Sequence, residues 1–250
     1  MNFSGISNKT LIGKITRFPL RFIPAKMKMP ILQGKLRGKK WIVGSSNHGC
    51  WLGSYEYKKQ ILFAKTILKG SVVYDIGAHV GFYTLLASEL VGLKGKVVAF
   101  EPLPRNLYYL KEHLRLNRCE NVEVIEAAVT EQSGIAFFEE AKSSYEGHLS
   151  SKGCIKVRTV NLDDLVLNGE IPPPDYMKID VEGAELKVLK GAKSILYKYQ
   201  PTIFLATHGV EVHQQCCGFL KSMGYKLKSI NKKEINETDE ILAYQKGWIG

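Results

Sequence analysis

The first residues that could do chemistry are an aspartate and two glycines in the stretch VVYDIGAHVGFYTL. Asp75, Gly77 and Gly81 follow the pattern D-x-G-x-x-x-G, between an apolar run and the start of a helical pattern. In an open α/β sheet, ligands bind beyond the carboxyl ends of the strands, and the first strand–turn–helix is the usual place. The nicotinamide fingerprint, G-x-G-x-x-G, has a different spacing and holds a pyrophosphate on backbone N–H groups. An acidic residue leading into the turn favours instead a ligand with a cationic head.

A second acidic residue, Glu101, follows the next apolar run about 20 residues after Gly81. A carboxylate at this place accepts two hydrogen bonds from ribose hydroxyl groups. S-adenosylmethionine combines a ribose with a sulfonium and an ammonium group, and it carries no phosphate. The turn and Glu101 together predict S-adenosylmethionine as the cofactor. The alternative is that Gly77 and Gly81 only allow a tight turn.

A regular alternation of strands and helices would position these residues. Strands are predicted at 72–76, 96–100, 122–129, 135–138, 155–160, 176–181, 203–206, 225–230 and 241–245. Helices are predicted at 55–68, 82–91, 105–117, 184–197 and 212–223. Such alternation indicates an α/β fold, with a mainly parallel sheet covered by helices on both faces. Only a short turn separates the last two strands, so they must pair antiparallel.

Four motifs make the sequence similar to a known family: VVYDIGAHVGFYTLLA, VVAFEPLPRNLYYLKEHLRLN, TVNLDDL and MKIDVEGAELKVLKGA. In this order they resemble the FkbM-like family of S-adenosylmethionine-dependent methyltransferases, over roughly residues 51–209. The resemblance implies a Rossmann-like seven-strand methyltransferase sheet, mainly parallel with a terminal antiparallel strand, preceded here by an N-terminal basic extension. It also implies methyl transfer, mostly O-methylation of sugars or hydroxylated natural products.

The resemblance assigns cofactor-binding roles to matching positions. These positions are Asp75, Gly77, Ala78, Gly81, Glu101, Pro102, Glu126, Ala127 and Asp180. Glu101 would accept the ribose hydroxyls, and Glu126 and Ala127 would lie near the adenine. Asp180 would face the methionine moiety and the transferred methyl group.

The sequence departs from the family pattern at three positions. His79 and Glu126 stand where asparagine is common, and Ala206 stands where a glutamate is frequent. Methyltransferases that act on base amino groups commonly carry an Asn/Asp-Pro-Pro-aromatic loop after the fourth strand. This chain has DVEG at 180–183 instead, which argues against that class.

Methyl transfer to a hydroxyl group depends mainly on placing the oxygen in line with the methyl carbon. A base within hydrogen-bond reach assists, because the alcohol must lose a proton. Asp180 and His208 both follow central strands, so we predict them as catalytic residues, with His208 as the base. His208 could equally be satisfied by backbone at a strand end. Asp180 and His208 could also hold a divalent metal ion, but oxygen ligands are few in these motifs, and we predict no metal site.

The substrate side is expected in the lead-in before the first strand. His48, Trp51 and Glu56 are candidate substrate contacts there, together with Glu182 after the fourth strand. Asn47 and Tyr55 would also suit a sugar, with a tryptophan stacking on its apolar face. The alternative for Trp51 is a place in the core.

Length, charge and cysteine spacing limit the class of protein and its location. The chain has 250 residues and a net charge of +11, and no acidic residue precedes Glu56. We divide it into residues 1–70, a basic extension and substrate-side cap, and residues 71–250, the cofactor-binding domain. No apolar run is long enough to span a bilayer, and five cysteines without C-x-x-C spacing support neither a disulfide framework nor a zinc site. We therefore expect a cytoplasmic protein.

The basic residues up to position 40 leave several partners open. They are compatible with peripheral contact to an anionic membrane, with a phosphorylated substrate, and with a small-molecule or glycan acceptor in lipid-linked form. They are also compatible with a targeting segment or with an arm packed on the domain. Nucleic acid is the least favoured partner. Two other functions also stay open: a nicotinamide-dependent oxidoreductase, and a non-catalytic membrane-associated adaptor.

Overall fold

A computed structural model describes Leu20 and residues 22–140, 147–149, 155–231 and 233–245. Most of the basic segment before residue 22, including Lys9, Lys14, Arg17 and Arg21, lies outside the described residues, as does Cys154. Within them, no helix is both long enough and apolar enough to cross a bilayer.

The strands and helices alternate through most of the described chain. The strands are β1 Lys28–Pro30, β2 Lys40–Ile42, β3 Val72–Ile76, β4 Lys96–Phe100, β5 Val122–Ile125, β6 Ala128–Val129, β7 Gly134–Glu140, β8 Gly147–Leu149, β9 Ile155–Val160, β10 Tyr176–Ile179, β11 Thr202–Ala206, β12 Lys226–Ser229 and β13 Glu240–Tyr244. The helices are α1 His48–Leu52, α2 Tyr57–Thr66, α3 Phe82–Val91, α4 Pro104–Asn117, α5 Leu162–Leu167, α6 Glu185–Lys190, α7 Lys193–Lys198 and α8 Val210–Ser222.

Seven of the strands form one sheet in the order β12-β13-β11-β10-β3-β4-β5. All neighbours pair in parallel except β13, which is antiparallel to both β11 and β12. The strand order reverses between β3 and β10, and this switch point is where ligands of such sheets bind. The α/β fold and the antiparallel pairing of the last two strands are thus confirmed.

The central strands are buried on both faces. Tyr74, Ile76 and Met177 belong to one core cluster, whereas Val73 and Tyr176 belong to the other, as alternation along a strand requires. Predominantly apolar side chains at consecutive positions identify such strands from the sequence. This explains why the predicted boundaries of β3 and β4 agree with those observed.

Two predicted elements are each divided in the structure. The predicted strand 122–129 ends at Ile125, because the N–H of Ala127 turns back to the carbonyl of Ile125, at 2.9 Å. The short strand β6 then joins a separate four-stranded sheet, in the order β6-β9-β7-β8. The predicted helix 184–197 breaks around Gly191, which abuts the backbone of Thr130, and the carboxylate of Asp163 caps α7.

The lead-in packs on the cofactor-side helices. The indole of Trp41 stacks on the ring of His113 in α4, with centroids 3.8 Å apart. His113 Nδ1 lies 2.8 Å from the carbonyl of Val80, and its Nε2 accepts from the N–H of Ile42 at 3.1 Å. Burial lowers the pKa of His113 to about 4, so the imidazole is neutral and both bonds can form. The buried ring therefore connects β2, α4 and the turn after β3.

The turn after β3 requires a glycine at position 77. Gly77 has φ +76°, and a Cβ atom there would overlap the carbonyl oxygen of Asp180 after β10. The close approach brings together the carboxyl ends of the two strands at the switch point. Gly81, also at positive φ, begins α3 and packs on Leu110 of α4.

We predict that Gly77→Ala lowers the free energy of unfolding by about 3 kcal/mol or more, because left-handed strain adds to a backbone overlap. Gly70→Ala is the matched control, since Gly70 has φ +80° and open space where a Cβ would lie. It should cost only about 1–2 kcal/mol. Urea denaturation of both variants measures the difference, and equal losses would contradict the close approach.

Candidate active site

A cavity of about 530 Å³ lies beyond the carboxyl ends of β3, β4 and β10. The predicted site residues that line it are Gly77, Ala78, Glu101, Pro102, Ala127, Asp180, Glu182 and His48. The predicted site residues that do not line it are Asp75, Gly81, Glu126, Trp51, Glu56 and His208. The fold therefore places most of the predicted site residues on the wall of one cavity, and the other predicted residues do not line it.

Glu101 directly follows β4, and hydrogen bonds hold its buried carboxylate in one orientation. One oxygen accepts from the N–H of His79 at 2.8 Å, and the other accepts from the N–H of Leu103 at 3.0 Å and from Asn106 at 3.3 Å. Burial raises the pKa of Glu101, against the lowering effect of these bonds. The carboxylate thus ties the glycine turn to the start of α4 while it faces the cavity.

Asp75 lies beneath the cavity, in contact with Lys178 on the neighbouring strand. The two residues are directly opposite in the register of β3 and β10, and their charged atoms are 3.2 Å apart. Thr84 of α3 donates to the other carboxylate oxygen of Asp75 at 2.6 Å. Asp75 is 1% exposed. It acts on the cavity through Lys178 and not by direct contact.

Lys178 joins both strand ends at the floor of the cavity. Its ammonium donates to the carbonyl of Gly77 at 2.8 Å and lies 3.8 Å from Asp180. Burial lowers the pKa of this amine, but Asp75 and Asp180 outweigh burial and raise it above the usual value. Lys178 is therefore charged, and it binds the backbone of the predicted cofactor turn.

A second buried lysine, Lys59 of α2, stands behind Asp180. Its ammonium lies 3.0 Å from Glu240, 3.2 Å from Glu56 and 4.0 Å from Asp180. The hydroxyl of Tyr83 donates to Glu56 at 2.9 Å. Burial lowers the pKa of Lys59, and the three carboxylates raise it by more. Glu56, predicted as a substrate contact, is thus engaged with Lys59 and Tyr83.

Asp180 and His208 lie together, as predicted for the catalytic pair. His208 Nε2 is 3.7 Å from Asp180 and 3.4 Å from Glu182, and Nδ1 is 2.8 Å from the buried carboxylate of Glu185. Burial raises the pKa of Asp180, but Lys178, Lys59 and His208 lower it by more, so it is a carboxylate.

The surroundings of His208 disfavour the role of general base. The hydrogen bond to Glu185 raises the pKa of His208 to about 9, against burial and with help from Glu182 and Asp180. At neutral pH the imidazole already carries the proton that a base would have to accept. The alternative of a histidine satisfied by backbone groups is wrong, because the partners of this ring are the carboxylates of Glu185, Glu182 and Asp180.

The lead-in closes one side of the cavity through Asn47, His48 and Tyr55. Asn47 caps α1 by accepting from the N–H of Gly49 at 2.9 Å. His48 Nδ1 accepts from the indole N–H of Trp51 at 3.0 Å, and burial lowers the pKa of His48. The neutral ring therefore carries its hydrogen on Nε2. Trp51 is 3% exposed, in agreement with the core alternative.

Glu126 lies on the surface, where its carboxylate pairs with Lys111 at 2.6 Å and is 57% exposed. The adjacent Ala127 is buried and lines the cavity. Of the two predicted adenine contacts, Ala127 lines the cavity and Glu126 does not.

Sequence reasoning missed Lys59, Lys178, Glu185 and Glu240. Lys178 carried a usable signal, because a lysine inside the otherwise apolar strand YMKI must find a buried counter-charge. Lys59 and Glu240 meet across 181 positions of sequence, and no local pattern marks either one.

We predict that Lys178→Met lowers the free energy of unfolding by about 3–5 kcal/mol, because it leaves Asp75 as an uncompensated buried charge. Lys96→Met is the matched control: Lys96 also lies in a central strand and pairs with Glu123 at 2.7 Å, but both side chains are about 40% exposed. It should cost less than about 1 kcal/mol. Similar losses in urea denaturation would contradict the buried network.

We expect His208 to titrate near pH 9 in metal-free buffer, measured by NMR of its ring, while His48 titrates below 6.5 in the same spectra. Since the folded pKa of His208 exceeds its ordinary 6.5, its contribution to stability is fully present below pH 6.5. That contribution is lost as the pH rises through about 9. Titration of His208 at or below 6.5 would contradict its pairing with Glu185.

Comparison with known proteins identifies the family. Residues 75–227, more than half of the chain, match the family described as the methyltransferase FkbM domain. The hexuronic acid methyltransferase AglP of Haloferax volcanii is 32% identical over 145 residues, which cover 57% of this chain and 56% of the relative. The chain thus spans little more than half the length of this relative.

A solved structure shares the fold. The methyltransferase FkbM from Methylobacillus flagellatus KT superposes with a TM-score of 0.52 at 20% identity, over 70% of this chain and 43% of that one. Because the family model matches more than half of the chain, the chain belongs to the FkbM methyltransferase family.

Proposed function

We propose that this protein transfers the methyl group of S-adenosylmethionine to a hydroxyl group of a saccharide or of a hydroxylated natural product. The observation that carries the proposal is the fixed carboxylate of Glu101 on the cavity wall, beside the glycine turn at the switch point of the sheet. The membership in a methyltransferase family supports the same reaction.

The residues present fit S-adenosylmethionine. Glu101 would accept the ribose hydroxyls, and the buried Ala127 and the neighbouring Ala128 offer an apolar wall for the adenine. Asp180 remains a carboxylate, and its closest cationic partners are 3.7–4.0 Å away, beyond hydrogen-bond distance. It therefore keeps acceptor capacity for a cationic ligand. When bound, S-adenosylmethionine supplies an electrophilic methyl group.

The lead-in is the proposed acceptor side, which assigns residues 1–70 the role of an extension and cap and residues 71–250 that of the cofactor domain. Asn47, His48 and Tyr55 line the cavity, and their side chains carry polar groups that suit sugar hydroxyls. A saccharide is favoured because the relative AglP is named a hexuronic acid methyltransferase. Holding the acceptor oxygen in line is the main contribution expected of this wall.

The basic segment supports a proposal about where the acceptor is presented. Lys26, Lys28, Lys35, Arg37 and Lys40 are exposed in the described part of this segment. Exposed cations on an extension that adjoins the cavity are compatible with a lipid-linked glycan on an anionic membrane surface. The family assignment favours this enzyme over the oxidoreductase and the adaptor.

Calorimetric titration tests the proposed cofactor. We expect micromolar binding of S-adenosylmethionine and of its demethylated product, and no binding of NAD. Glu101→Gln should weaken S-adenosylmethionine binding about 10–100-fold, because it removes a charged acceptor of hydrogen bonds. Glu126→Gln should leave the affinity unchanged, since Glu126 pairs with Lys111 outside the cavity.

Thermal unfolding of both variants controls for folding, because Glu101 also holds the turn. Binding of NAD in place of S-adenosylmethionine, or equal affinities in a folded Glu101→Gln and the wild type, would overturn the proposal.

A further inference from the structure

We propose that Asp180, Glu182 and His208 bind a divalent metal ion of the Mg²⁺ or Mn²⁺ class beside the acceptor position. The proposal deepens the proposed function, on which its catalytic role rests. The binding itself stands on the geometry of this cluster alone.

The three side chains offer ligand atoms at compatible distances. His208 Nε2 lies 3.4 Å from Glu182 Oε2 and 3.7 Å from Asp180 Oδ1, and all three ligand atoms lie within 4.8 Å of one another. Around an octahedral ion with bonds of about 2.1 Å, neighbouring ligand atoms are about 3 Å apart and opposite ones about 4.2 Å. The distances from His208 to Glu182 and to Asp180 would have to shorten by about 0.4 Å and about 0.7 Å to close the site.

Glu185 provides a second and separate observation. It is 0% exposed, and one oxygen of its carboxylate lies 2.8 Å from His208 Nδ1 and accepts from the N–H of Gly183 at 3.0 Å. A buried carboxylate on one imidazole nitrogen directs the other nitrogen at a metal, as in carboxylate–histidine–metal arrangements. The second oxygen of Glu185 is buried without a hydrogen-bond partner in the described residues. The carboxylate at this cluster is thus only partly satisfied by the protein.

The position of the cluster also favours a catalytic ion. Asp180 and Glu182 line the cavity, so an ion held by them would keep open positions toward it. Two carboxylates suit Mg²⁺ and Mn²⁺, which usually retain open sites for water or substrate, and the imidazole favours Mn²⁺ of the two.

In the proposed reaction such an ion would lower the pKa of an acceptor hydroxyl. The hydroxyl proton leaves to solvent, the oxygen forms the new C–O bond, and the electrons of the broken C–S bond stay on sulfur. No side chain then has to act as the base. To bind the ion, His208 must release its Nε2 proton to solvent, because an imidazole ligates a metal in its neutral form. The sequence predicted no metal site, because only the fold brings Glu182 and Glu185 to His208.

Electron paramagnetic resonance of Mn²⁺ tests the site on the full chain, since bound Mn²⁺ loses the sharp signal of the free ion. We expect one Mn²⁺ per chain with a dissociation constant below about 1 mM. Glu182→Gln should weaken binding at least about tenfold, and Glu185→Gln about 10–100-fold. Glu211→Gln, the same change of charge on α8 outside the cluster, should bind as the wild type does.

The samples are also titrated with S-adenosylmethionine in EDTA. Absence of Mn²⁺ binding together with intact S-adenosylmethionine binding would overturn the metal site alone, and the cluster would be an ion-pair network only. Equal Mn²⁺ affinity in the wild type and Glu182→Gln would overturn it as well. Loss of S-adenosylmethionine binding in a sample that binds Mn²⁺ would overturn the proposed function instead.

Discussion

The architecture of the site depends on a lysine buried inside a central strand. Lys178 is 4% exposed, and a charge so placed is tolerated only with close partners. Those partners are Asp75 opposite it in the register, the carbonyl of Gly77 and the carboxylate of Asp180. One ammonium therefore joins the ends of β3 and β10, and Gly77 must lack a side chain because the two ends approach so closely. The switch point of the sheet is held by electrostatics and by close backbone contact together.

The charge around the switch point explains what kind of ligand the site accepts. Among the described residues, seven carboxyl groups surround it, from Glu56, Asp75, Glu101, Asp180, Glu182, Glu185 and Glu240, against three cationic groups from Lys59, Lys178 and His208. Lys59 and Lys178 are each paired with protein carboxylates, so neither is available to attract a pyrophosphate. A ligand that brings positive charge is favoured, which agrees with a sulfonium and with a divalent ion. The acidic turn in the sequence thus reflects a property of the whole site.

The parts that could be predicted from the sequence are those with a local cause. The buried runs of β3 and β4, the glycine turn and Glu101 lie within one stretch of chain, and their spacing alone indicates their arrangement. The division at Gly191 could not be predicted, because it follows from contact with Thr130 and from a cap supplied by Asp163. The motif around Asp75 assigns this residue to the cofactor, because an acidic residue suits a cationic ligand. In the structure its cationic partner is Lys178, which lies 103 positions away in the sequence. Long-range pairing of charges therefore decides which acidic residues face the cavity.

The family match does not include all residues that line the cavity, and the residues outside the match bear on the choice of acceptor. The match begins at residue 75, whereas Asn47, His48 and Tyr55 supply one wall of the cavity from the lead-in. Glu240, which holds Lys59 behind Asp180, lies beyond the end of the match at residue 227. The matched segment contains the turn, Glu101 and Asp180, which are the groups proposed to hold the cofactor. The part of the wall that Asn47, His48 and Tyr55 supply lies outside the matched segment. We therefore expect the choice of acceptor to depend on residues 46–55 together with Glu182, whereas the turn and its buried lysine could stay as they are.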